Sequence, residues 1–188
     1  MLRVLQVPHN QLPEDILCQL AVKFTSLTSL DLTSSSSLSA VCVEAFGNNC
    51  PNITHLKVNV TPQIKPCSPN DDIAFAVGNT MRQLEHLEMA YGSLSNAGLK
   101  LVMEMCPKLQ ALDLRGCWHV DMDDIYAKEV SQRLKVFHAP IVKDDIYDDE
   151  FDSDHVSDED CDSDIYIGDY SYELGHEYVD SDEFDYNY

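Results

Sequence analysis

Two histidines, His55 and His86, stand at the same place in two similar stretches, ITHLKV and LEHLEM, each just before the second apolar residue. In neighbouring strands they would set two imidazoles side by side, the beginning of a metal site or an acid–base pair. No Cys, Asp or Glu at ligand spacing completes such a site, so they read as surface histidines. Asp121, Asp123 and Asp124 hold the acids of a calcium loop without its central Gly and terminal Glu. They suit the acidic first turn of a helix better, where they meet the positive end of the dipole. Cys117 is a potential nucleophile, but its place in the turn pattern described below calls for a packed thiol. No P-loop, nucleophile elbow or glycine-rich phosphate motif is present. The seven cysteines include no Cys-x-x-Cys pair, which removes the usual zinc and redox motifs. The expectation is a protein that is not an enzyme and uses no metal and no cofactor.

The elements that carry these residues repeat. Six segments share the pattern L-x-x-L-x-L: LRVLQV from Leu2, LTSLDL from Leu27, ITHLKV from Ile53, LEHLEM from Leu84, LQALDL from Leu109 and LKVFHA from Leu134. Their starts lie 25, 26, 31, 25 and 25 residues apart. The alternation at the L-x-L end makes a short strand with one buried face. The period is that of a leucine-rich repeat. Eight positions after each first apolar residue stand Asn10, Ser35, Thr61, Gly92 and Cys117, small or polar as the inside of a turn requires; Val142 of the sixth segment departs from this.

Helical patterns lie between the strands. Ile16, Leu17, Leu20 and Phe24 share a face, as do Ile73, Ala76, Val77 and Thr80, and Leu99, Val102, Met103 and Cys106. Ser95-Asn96 stands where an N-cap belongs, and Cys50-Pro51 and Cys106-Pro107 mark helix ends. The long step contains TPQIKPCSPN, a proline-rich surface insertion at 61–70. The predicted fold is α/β. Residues 1–140 form a leucine-rich-repeat solenoid of about six repeats, with parallel strands on the concave side and helices on the convex side.

Charge divides the chain at the same boundary. Residues 1–140 hold 11 Lys/Arg and 14 Asp/Glu, whereas residues 141–188 hold 19 Asp/Glu and one Lys, Lys143. A tail of net charge −18 repels nucleic acid and acidic membranes, so neither is an expected partner. Its like charges and scarcity of aliphatics predict disorder over 141–188, and Ser157, followed by three acids, suits an acidophilic kinase. No apolar run has the length of a signal peptide or a membrane span. Scattered single thiols fit a reducing compartment, the nucleus or the cytoplasm. In that setting the sequons at Asn52 and Asn59 are chance matches.

The stretch LPEDILCQL at 12–20 is similar to the opening of an F-box, a three-helix module of roughly forty residues. Here it lies between strand segments at Leu2 and Leu27 and serves as the helix of the first repeat. A different stretch carries a family resemblance. CPKLQALDLRGC at 106–117 follows Cys-Pro-x-Leu-x-x-Leu-x-Leu-x-x-Cys throughout, CPNITHLKV at 50–58 follows its first half, and SLSNAGLKLVMEMCP at 93–107 resembles the turn and helix that feed it. The body thus resembles the cysteine-containing repeats of plant F-box/leucine-rich-repeat proteins over residues 1–140. The resemblance implies a surface that holds a protein substrate for a Skp–cullin–F-box ubiquitin ligase. The F-box that would bind the Skp-type adaptor has no counterpart in the 188 residues, and the expectation is a partial gene product with Leu2, Leu5 and Val7 at an uncapped end. An alternative is an acidic-tailed leucine-rich-repeat nuclear protein that binds basic partners such as histones.

The apolar positions of each segment face the core, so its third, fifth and seventh positions face the concave side. In the middle repeats these are Ser29, Asp31 and Thr33; His55, Lys57 and Asn59; His86, Glu88 and Ala90; Ala111, Asp113 and Arg115. The candidate partner-binding residues are Asp31, His55, Lys57, His86, Glu88, Asp113 and Arg115, a row of mixed charge without a large aromatic anchor.

Overall fold

A computed structural model describes residues 1–62, 68–122 and 125–140. The expected acidic-tail disorder, Ser157, Val142, Asp123 and Asp124 lie outside the described residues, as does the centre of the 61–70 insertion. Strands and helices alternate along the chain: β1 (Val4–Gln6), α1 (Glu14–Lys23), β2 (Ser29–Asp31), α2 (Ala40–Asn49), β3 (His55–Lys57), α3 (Asp72–Thr80), β4 (His86–Glu88), α4 (Asn96–Met105), β5 (Ala111–Asp113), α5 (Ile125–Arg133) and β6 (Val136–His138). The strands form one parallel sheet in the order β1-β2-β3-β4-β5-β6. Each residue pairs with its counterpart one repeat on, for example Leu30 with Leu56 and Leu56 with Leu87. This is the leucine-rich-repeat solenoid that the period implies.

The core is three stacked columns. Leu27, Ile53, Leu84 and Leu109 enter just before each strand, and Leu30, Leu56, Leu87 and Leu112 enter from its middle. Phe46, Val77, Val102 and Met103 close the layer from the helices, and all of these side chains are buried. Burial of each is worth roughly 1.5–3 kcal/mol, which is what holds three-residue strands in place. The first repeat is less covered: Leu5, Leu20 and Phe24 are half-buried, and Leu2 and Val4 are exposed. The LPEDILCQL stretch forms most of α1, inside this repeat.

The turns after β1, β2, β4 and β5 use a left-handed residue. His9, Ser34, Tyr91 and Gly116 have φ of 52°, 50°, 60° and 71° and hold equivalent places. Val60 is the equivalent residue in the third repeat and does not adopt this conformation, as expected for a β-branched side chain. There the chain leaves the repeat path for the insertion. It returns at Asn70, whose N–H donates to the Ser93 carbonyl, and at Asp71, which accepts from the Ser95 N–H and hydroxyl at 2.8 and 2.6 Å. Ser95 in turn caps α4, as its position predicts. A Cβ on Gly98 would come within 2.2 Å of the Asp71 carboxylate, so glycine makes room for this clasp.

Three of the buried thiols among the described residues tie neighbouring repeats together. Cys50 donates to the carbonyls of Ala21 and Phe24, Cys106 to that of Met81, and Cys117 to that of Met89, each reaching back one repeat. Burial pushes the Cys106 thiol up to about 11 and the Cys117 thiol up to about 12. Cys117 therefore fills its turn as a packed donor and holds no thiolate. Its counterpart Ser35 is also buried, but its hydroxyl has no partner among the described residues.

Candidate partner-binding surface

Direct stacking of the repeats turns sequence positions into columns across the concave sheet. The fifth positions give Asp31, Lys57, Glu88 and Asp113 on successive strands, in register. The third positions pair His55 with His86, whose rings stack with centroids 5.6 Å apart and an interplanar angle of 17°. His55 Nδ1 meets Thr54 Oγ1 at 2.9 Å, and His86 Nε2 meets Glu88 Oε1 at 3.0 Å. A carboxylate only accepts, so His86 carries its proton on Nε2. Among the described residues, no group of three or more His, Cys, Asp or Glu is placed to hold a metal ion.

Glu88 is the centre of the surface. Lys57 Nζ lies 3.0 Å from its Oε1 and Asn59 Nδ2 lies 3.0 Å from its Oε2. Asn59 cannot turn over, because its Oδ1 accepts the Ala90 N–H at 2.8 Å. The Glu88 side chain is only 17% exposed. Burial pushes its pKa up, but hydrogen bonds from Lys57, Asn59 and His86 outweigh this and hold the carboxyl below its ordinary value. The hub therefore joins two adjacent strands, β3 and β4, in a fixed charge pattern.

Asp113 is a second hub and lies deeper. Its side chain is 7% exposed beneath Arg115, whose Nη2 approaches Oδ2 at 2.6 Å and whose Nε lies 3.1 Å from both carboxylate oxygens. The Arg115 backbone N–H donates to Oδ1 at 3.0 Å, the same turn that Thr33 makes on Asp31. His138 Nδ1 completes the shell at 3.3 Å. Burial raises the Asp113 pKa, and the bonds from Arg115 and His138 reverse the shift to a net lowering. The two carboxylates face each other across adjacent strands, where like charges repel. Each is paired with a cation, Glu88 with Lys57 of the neighbouring strand and Asp113 with Arg115 two residues on.

The seven candidate residues thus share one face, but they are not equally available. His55, Lys57, His86 and Arg115 present their side chains. Glu88 and Asp113 act through those they hold, and Asp31 is tied into its own turn. His138 is missing from the candidate set although it occupies the fifth position of the sixth segment; carrying the column one repeat further identifies it. His86, Glu88, Ala111, Asp113, Arg115 and His138 rim a shallow depression of about 100 Å³. That volume takes a side chain of a protein partner and is too small for a typical small-molecule pocket. Beside it, Gly116 has a left-handed φ of 71°, and a Cβ there would meet the Tyr91 ring at 2.2 Å.

Comparison with known proteins bears on this face. F-box protein FBW2 of Arabidopsis thaliana is 32% identical over 142 residues, which cover 75% of this chain and 45% of that protein. F-box protein SKIP19 of the same plant is 32% identical over 187 residues, covering 94% of this chain and 59% of that one. Putative F-box/LRR-repeat protein 9 is 36% identical over 102 residues, covering 54% and 40%. The chain is homologous to plant F-box and F-box/leucine-rich-repeat proteins. No protein-family model matches it. The chain spans about half the length of the curated relatives it matches.

Proposed function

We propose that residues 1–140 are a protein-recognition module that holds a substrate for a Skp–cullin–F-box type ubiquitin ligase. The observation that carries the reading is the concave face of a solenoid whose relatives are F-box proteins. It is a row of charged and imidazole side chains, fixed in register across strands by the Glu88 and Asp113 hubs. Pre-ordered polar groups on a rigid sheet give specificity through charge complementarity and lose little entropy on binding. The module acts in the nucleus or cytoplasm, catalyses nothing itself and takes no cofactor. Its partner is a folded or extended protein segment rather than nucleic acid or membrane. Among the described residues, no helix is long and apolar enough to cross a membrane. The F-box names of the relatives support this reading.

The test pairs capture with transfer. A His55→Ser/Lys57→Ser double variant removes exposed concave groups, and a Glu44→Ser variant changes an exposed residue of α2. Proteins captured from plant extract by the unaltered chain and by Glu44→Ser, but lost with the double variant, are the expected substrates. Placing an F-box ahead of the chain is then expected to drive their ubiquitylation. Identical capture by the double variant refutes the assignment of the concave face.

A further inference from the structure

The two edges of the solenoid carry opposite charge. The edge where strands end and helices begin holds Glu14, Asp15, Asp71, Asp72 and Asp121, and the edge where helices end and strands begin holds Arg3, Lys23, Arg82, Lys108, Arg133 and Lys135, with Glu85 among them. Each set complements the helix dipoles it adjoins, and that accounts for charges spread one to a helix. It does not account for clustering. Four of the six cations gather around the turn at Cys106 and Pro107. Arg133 Nη2 reaches the Cys106 carbonyl at 3.5 Å, Lys108 Nζ donates to Gln83 Oε1, and Lys135 Nζ donates to Gln110 Oε1 at 2.6 Å. Arg82 adjoins Gln83 and, with Arg133, acts on the Cys106 thiol. All four side chains are exposed, and among the described residues none forms an ion pair. Of the nearby acids, Glu104 pairs with Lys100, Glu85 is half-buried, and Glu129, one helical turn before Arg133 on α5, forms no ion pair among the described residues. The two Lys–Gln contacts repeat one period apart and hold the ammonium groups in place on glutamine carbonyls, which leaves their charge unmatched.

We propose that this basic edge is the docking surface for the chain's own acidic segment, residues 144–164. That segment has 12 Asp/Glu in 21 residues and no Lys or Arg. It begins six residues after the end of β6, the strand of the same repeat as Arg133 and Lys135. From Pro140 back to the level of Lys135 is about 17 Å at strand spacing, a distance that roughly five extended residues cover. The acidic run therefore begins within reach of the cations. Single exposed ion pairs are weak. Here several act together, and the covalent link sets a high effective concentration that no free partner matches at ordinary levels. The face involved is the edge, distinct from the concave sheet, so this docking stands or falls apart from substrate recognition.

Zero-length carbodiimide coupling of the full chain tests it, because amide formation requires ammonium–carboxylate contact. The expected products join Lys108 and Lys135 to carboxylates within 144–164, in monomers, with a yield independent of dilution. Raising the salt from 0.01 to 1 M shortens the screening length from about 30 to about 3 Å and is expected to cut that yield on the order of tenfold. Equal coupling to Lys23 or Lys100 would overturn the proposal. So would coupling found only in dimers, which would assign the edge to the acidic segment of a second copy. X-ray scattering adds a sign. A like-charged segment free of the edge contracts as salt screens its self-repulsion, whereas one docked by charge is released and the molecule expands. The full chain is expected to expand. The Arg82→Gln/Lys108→Gln/Arg133→Gln/Lys135→Gln variant, with an unchanged circular dichroism spectrum, is expected to contract. Contraction of the unaltered chain refutes the docking whether or not the variant folds.

Discussion

Replacing Glu88 with Gln tests whether the concave charges are a built network or independent surface groups. The two side chains have nearly the same shape, so the change isolates charge and acceptor capacity. All three neighbours donate: Lys57 Nζ and His86 Nε2 to Oε1, and Asn59 Nδ2 to Oε2. A glutamine offers one acceptor and one N–H₂. Its N–H₂ must then face a donor, because Asn59 is held in orientation by the Ala90 N–H. A donor left facing a donor at a largely buried position costs about 1–2 kcal/mol. The lost charge on Lys57, itself 43% exposed, adds less than about 1 kcal/mol after solvent screening. The sum is about 2 kcal/mol, which at roughly 3 °C per kcal/mol for a body of this size lowers Tm by about 6 °C. Lys57→Gln, which removes only the exposed partner, is expected to shift Tm by about 2 °C or less. Thermal unfolding followed by circular dichroism measures both. If Glu88→Gln destabilises no more than Lys57→Gln, the hub is a crowd of solvated side chains and the reasoning fails. From sequence alone, both positions read as exposed charges whose reversal leaves stability unchanged; the burial of Glu88 removes that expectation.

Three further outcomes follow from the same geometry. Glu88 and Asp113 have lowered pKa values in the folded chain, so their contribution is present above the ordinary carboxylate range and is lost as pH falls through their folded values. Urea midpoints of the unaltered chain and of Glu88→Gln are expected to differ at pH 7 and to converge toward pH 2; a constant gap would mean that the Glu88 charge plays no part. Cys42, Cys50, Cys106 and Cys117 are buried with raised pKa values and are expected to resist iodoacetamide at pH 8 until the chain unfolds, as read by mass spectrometry; rapid native labelling at Cys117 would contradict its packed role. The 188-residue chain is expected not to bind a purified Skp-type adaptor, since LPEDILCQL is spent as a repeat helix; binding that disappears with Leu12→Ala or Pro13→Ala would show that the stretch acts as an F-box opening.

The sequence by itself determined the solenoid. A period near 25 residues with alternation at each start allows one short strand per repeat, and stacked repeats can bury those leucines only as a parallel sheet. Strand register follows from the same period, which sets His55 and His86 side by side. The Ser95 cap and the Cys-Pro helix ends were also legible, because they are local chemistry. What tertiary structure alone decided is how deep each concave side chain lies and which neighbours it meets. Glu88 and Asp113 carry the same letters as any surface acid. They are largely buried because residues 25 to 31 positions away in sequence (Lys57, Asn59 and His138) close over them. The clasp of Asp71 on Ser95, the turn in which Gly116 makes room for Tyr91, and the gathering of Arg82, Lys108, Arg133 and Lys135 at one edge have the same origin. Each depends on how far one repeat is displaced from the next, a distance that pairs of residues feel only once the sheet has formed.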